Sequence, residues 1–187
     1  MIATSTWDEL EERIRSCTAC DLCKTRHQAV PGFGSRTARL MFVGEAPGAS
    51  EDLEGKPFVG AAGKLLTELL AGIGLRREDV YIANVLKCRP PSNRNPEPQE
   101  IDKCLPFLRQ QVAMMRPPLI CTLGNFALKA LVDPNLGITT ARGQFFKKGN
   151  FTFFATFHPA AALYTPAKKG LLIDDFKKLG EFLGPGV

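Results

Sequence analysis

Four short runs of nearly uninterrupted apolar residues recur along the chain: "RLMFVG" at 39–44, "VYIANVL" at 80–86, "PLICTLG" at 118–124 and "FTFFATF" at 151–157. They are rich in β-branched or aromatic residues and several are bounded by glycine or proline, the pattern of strands buried on both faces. Between them apolar residues recur at helical spacing, through Leu65, Leu66, Leu69, Leu70 and Ile73, and again through Ile101, Leu105, Leu108, Val112 and Met115. A shorter helical segment runs from Phe126 to Leu131, and a last helix carries Leu171, Leu172, Phe176, Leu179 and Phe182. This alternation predicts a three-layer α/β/α sandwich around a central, mainly parallel four-stranded sheet. With 187 residues, 44% of them hydrophobic, the chain can fill one core, so a single domain over 1–187 is expected. Working residues of such sheets gather at the carboxyl ends of the strands. The segments to inspect are therefore "GEAPGASEDLEGKPFVG", "KCRPPSNRNP" and "HPAAAL", which follow the first, second and fourth strands.

Trp7, Leu10 and Ile14 predict a short amphipathic helix over 7–16 that runs into Cys17. The amino-terminal stretch lacks a basic start followed by an apolar run, and no segment approaches the roughly 20 apolar residues of a membrane span. A cytoplasmic protein without membrane contact is expected. In that compartment six cysteines argue against a disulfide framework and for metal or redox chemistry. Cys17 and Cys20 form a C-x2-C pair, Cys23 adds a second in register, Cys88 follows the second strand, and Cys104 falls on the apolar face of the next helix. A four-thiolate site fits this set, with zinc and iron–sulfur both open and the part of Cys23 undecided. Cys121, inside an apolar strand, reads as a core residue. A net charge of +5 and a pI near 9.0 permit a polyanionic partner without requiring one.

Two polar residues stand out. Asn84 lies on an otherwise apolar strand, where an unpaired amide would be expensive. His158, the second of only two histidines, ends the fourth strand and is either a filler there or a donor aimed into a cleft.

"GEAPGASEDLEGKPFVGAAGKLL", "YIANVLKCRPPSNRNP" and "HPAAAL", together with the cysteine set, resemble the type-four uracil-DNA glycosylases, the iron–sulfur branch of the uracil-DNA glycosylase superfamily, from about residue 14 to the last helix. The resemblance implies hydrolysis of the N-glycosidic bond of flipped-out uracil in DNA, and a structural [4Fe-4S] cluster on Cys17, Cys20, Cys88 and Cys104. It implies that Phe58 stacks under the base and that Asn84 reads N3–H and O4. Glu51 would stand beside C5, where a thymine methyl would collide, and His158 would donate to O2 as negative charge grows on the leaving base. Gly44 and Ala46 would border the base, Gly48 would allow close backbone approach, and Leu163, with Tyr164 beside it, would wedge into the gap in the duplex. The superfamily's water-positioning aspartate is absent, because Ala46 follows Glu45; Glu45 would orient the water or shape the pocket. Lys87, Arg89, Arg94, Lys168 and Lys169 are phosphate-contact candidates. No lysine occupies a Schiff-base motif, so a monofunctional, monomeric enzyme that leaves an abasic site in uracil-containing DNA is expected. The superfamily branch that becomes trapped on its product carries a basic, histidine-containing insertion that this chain lacks. An iron–sulfur electron carrier or sensor and a non-catalytic nucleic-acid-binding module are the alternatives.

Overall fold

The computed structural model describes residues 6–184; residues 1–5, part of the stretch read above for an export signal, and 185–187 lie outside it. The sheet has six strands: β1 (Phe33–Gly34), β2 (Leu40–Gly44), β3 (Tyr81–Asn84), β4 (Leu119–Leu123), β5 (Phe145–Lys148) and β6 (Phe151–Thr156). Their order is β1-β3-β2-β4-β6-β5, and the four strands expected from the apolar runs form its parallel centre. The α/β class is as expected and the strand count is corrected, because antiparallel β1 and β5 close the two edges. Neither has a legible period. β1 is two residues long, and β5, "FFKK", carries on an edge strand the lysines that ordinarily mark a loop.

The helices are α1 (Trp7–Arg15), α2 (Ala49–Glu54), α3 (Ala61–Ala71), α4 (Pro98–Met115), α5 (Asn125–Leu131), α6 (Ile138–Ala141), α7 (Ala160–Tyr164) and α8 (Ala167–Leu183). Pro98 occupies the first turn of α4, where its missing N–H is harmless. Three of these, α2, α6 and α7, span six residues or fewer, too short to show a helical period in sequence. Alternate residues of the strands face opposite layers. Leu40, Phe42, Ile82, Cys121 and Phe154 pack with α3 and α8, while Met41, Val43, Tyr81, Ala83, Ile120 and Phe153 pack with α4. A third apolar cluster joins Leu10 and Ile14 of α1 to Leu22, Ala29, Leu86, Cys88 and Cys104. Among the described residues no helix is long and apolar enough to cross a membrane.

Candidate active site and cysteine pocket

The parallel register of β2 and β3 sets Gly44 beside Asn84 where both strands end. A Cβ built on Gly44 would lie 2.4 Å from Asn84 Oδ1 and 2.6 Å from Phe58 Cζ, so the bare backbone is what lets amide and ring meet there. The Phe58 ring faces the His158 ring, centroids 5.3 Å apart and planes 28° apart. His158 stands two residues beyond β6, and its Nδ1 accepts a hydrogen bond from Ala160 N at 3.2 Å in the first turn of α7. An accepting Nδ1 leaves the proton on Nε2. Burial holds the imidazole pKa down to about 4 against the opposing charge of Glu51, so the ring is neutral near pH 7. Asn84 Oδ1 is the one buried side-chain nitrogen or oxygen among the described residues with no hydrogen-bond partner.

Asn84, Phe58 and His158 line one cleft of about 420 Å³ with Glu45, Ala46 and Glu51, and with Leu163 and Tyr164 of α7, while Gly44 lies behind Asn84 and Phe58 and does not itself line it. Leu163 is 49% exposed and Tyr164 87%, unusual for apolar side chains on a rim. Desolvation raises the Glu45 carboxyl above its usual range. The Glu51 carboxylate is engaged on both oxygens: Oε2 accepts from Gly48 N at 3.1 Å, and Oε1 from Val59 N and Gly60 N at 2.9 Å each. It braces the loop between α2 and α3, a part that sequence reasoning missed. Arg94 borders the cleft but grips Glu100 through both terminal nitrogens at 3.0 and 2.6 Å. Arg89 donates to Asn93 Oδ1, Lys168 lies over the Phe157 ring, and Lys169 stands 3.6 Å from Glu68. Lys87 is corrected. It is buried rather than facing phosphate, with Nζ donating to Gln111 Oε1 at 2.7 Å, Asn84 O at 2.9 Å and Pro31 O at 3.3 Å. A lysine at the mouth of a loop is normally solvated, so nothing in the sequence marks this one.

A family model described as the uracil DNA glycosylase superfamily matches residues 31–180. The chain belongs to that superfamily. Within the uracil DNA glycosylase superfamily it is similar to the type-4 uracil-DNA glycosylase of Archaeoglobus fulgidus, at 50% identity over 185 residues, covering 95% of this chain and 93% of that protein. The type-4 uracil-DNA glycosylases of Saccharolobus solfataricus, 47% identical over 94% of this chain and 86% of theirs, and of Sulfurisphaera tokodaii, 47% identical over 93% and 83%, are similar to it as well. The superfamily that the three motifs resemble is thus the one to which the chain belongs.

In this uracil DNA glycosylase superfamily member, Cys17, Cys20, Cys23, Cys88 and Cys104 line a second pocket with Arg26. Cys121 is buried in the core, as its strand position implied. Arg26 Nη1 donates to Cys88 Sγ at 2.8 Å and Lys87 N to Cys104 Sγ at 3.2 Å, the arrangement that steadies sulfur carrying negative charge. Burial raises the Cys88 thiol and pushes Cys104 up to about 12, with Arg26 and Lys87 opposing. Left as thiols, both would stay protonated near neutral pH. Among the described residues no three metal-binding side chains converge tightly enough for a single ion. Five cysteine sulfurs around one pocket, two of them met by N–H donors, are a donor set of the chemistry that iron–sulfur clusters use.

Proposed function

We propose that this protein is a monofunctional uracil-DNA glycosylase of DNA repair, acting as a monomer on uracil-containing DNA in the cytoplasm and leaving an abasic site. The observation that carries the reading is the unpartnered Asn84 Oδ1 beside an aromatic face and a neutral Nε2–H donor. Turning a nucleotide out of the duplex costs a few kcal/mol. Stacking on Phe58 offsets part of this, and Leu163, already exposed at the rim, fills the gap left in the stack. Asn84 Oδ1 accepts from uracil N3–H and its amide nitrogen donates to O4; cytosine presents the reverse polarity at both atoms. As the C–N bond breaks, the base gathers negative charge, and His158 Nε2–H stabilises it at O2 without giving up its proton. Glu51 closes the C5 side of the pocket. Glu45, which lines the cleft and is partly desolvated, would orient the attacking water, with Ala46 bordering the base and Gly44 leaving room for Asn84 and Phe58 behind it. The cleft lining contains no lysine for a Schiff base, which supports hydrolysis alone.

Cys17, Cys20, Cys88 and Cys104 would hold a [4Fe-4S] cluster, with Cys23 at the border of the same pocket. Such a group supplies cross-linking here, because glycosidic hydrolysis moves no electrons: it would tie α1 to the chain around Cys88 and to α4. The test is incubation with a uracil-containing oligonucleotide, alkaline cleavage of abasic sites and a thymine control. His158→Ala and Asn84→Ala should each lower single-turnover excision by about 10²-fold or more while the purified protein keeps its fold and colour. Full activity in both would overturn the pocket assignment.

A further inference from the structure

Phe58 holds a backbone conformation that its side chain disfavours. Its φ is +54°, in the left-handed region where a bulky residue is an outlier, and such strain persists only where the surroundings enforce it. One enforcing contact lies below it. A Cβ on Gly63 would stand 1.8 Å from Phe58 O, so α3 packs its bare backbone directly against that peptide. A second comes from Glu51, which takes the next two N–H groups, Val59 and Gly60. The third is Arg77, in the single turn Arg77–Asp79 that leads into β3. Its Nη1 donates to Phe58 O at 2.8 Å and its Nη2 to Pro57 O at 2.7 Å, a two-pronged grip on consecutive carbonyls. The guanidinium also packs over the Phe33 ring at 5.8 Å, and among the described residues no carboxylate comes within ion-pair distance of it. Arg77 is absent from the cleft lining, so its planar fork meets the backbone and the Phe33 ring and does not reach into the site.

We infer that Arg77 is a positioning residue for base stacking: by holding the carbonyls of residues 57 and 58 it keeps the Phe58 ring flat against Gly44 and His158. The inference rests on the stacking role proposed for Phe58. Without the fork the peptide can relax toward negative φ, which swings the ring out from under the base. Displacing a positioning group by about an ångström can lower a rate by up to about 10²-fold. Arg77→Met should therefore reduce kcat/KM on uracil-containing DNA by about tenfold or more and weaken inhibition by free uracil several-fold, while affinity for abasic-site DNA stays at the wild-type value. Arg77→Lys, able to reach one carbonyl at a time, should recover part of the loss. The deciding measurement is a double-mutant cycle with Phe58→Ala. If Arg77 acts through the ring, Arg77→Met adds little to the Phe58→Ala loss; the same fold loss in both backgrounds, or wild-type uracil inhibition in Arg77→Met, overturns the assignment. Arg77→Gln, which keeps one donor, carries the same cycle should the methionine variant not fold. A Phe58→Ala protein with full activity would remove the stacking role and this inference with it, and that failure is told apart by the single variant alone.

Discussion

Replacing Gly44 with alanine would set a methyl group 2.4 Å from Asn84 Oδ1 and 2.6 Å from the Phe58 ring. Both groups are buried and Phe58 is clamped, so Gly44→Ala should cost about 1–3 kcal/mol of stability, seen as a melting temperature lower by several degrees, and cut uracil excision by the folded protein about 10²-fold, read as kcat/KM beside a thermal melt. His158 gives a pH prediction with a definite sign. Its folded pKa is depressed to about 4 from 6.5, so the unfolded chain takes up the proton first as pH falls; stability is full above about 6.5 and is lost as pH falls toward 4. Single-turnover excision should stay level through pH 6.5, whereas a mechanism needing imidazolium would accelerate there. Asn84 and His158 were legible because a polar side chain in or just after an apolar strand requires a reason. The work of Glu51 was not legible, since α2 is too short to be seen in sequence and nothing there shows that three backbone N–H groups will converge on this glutamate.

Single elements place these groups, and the end of β3 shows how. Lys87 binds Asn84 O from three residues along the chain and joins it to Gln111 of α4 and to Pro31. Lys87→Met fills similar volume but strips hydrogen bonds from buried carbonyls, so it should lower unfolding free energy by about 2–4 kcal/mol in urea titration. The sequence carried the four central strands as unbroken apolar runs, being buried on both faces, and the long helices as a period repeated over enough residues to be counted. It hid β1, β5, α2, α6 and α7, which are set by tertiary contact: "HPAAAL" forms α7 where Ala162 is buried in the core shared with α3 and α8.

Across the molecule, two apolar clusters flank the sheet while the third belongs to α1, the cysteine loop and the start of α4. If the cysteines hold the proposed cluster, stripping iron should expose the amides of α1 and of residues 88–104 to hydrogen exchange, while those of β2, β4 and β6 stay protected. Uniform loss of protection would show that the third cluster and the sheet unfold as one unit. Gly44, Asn84 and His158 come from three different strand ends, so the cleft exists only once the parallel sheet has closed. The bare oxygen of Asn84 has a consequence for fidelity. In the role proposed for it, that oxygen would meet the N3 lone pair of cytosine head-on while the amide N–H₂ met the exocyclic amino group, so a cytosine would be discriminated inside the pocket by repulsion rather than by size.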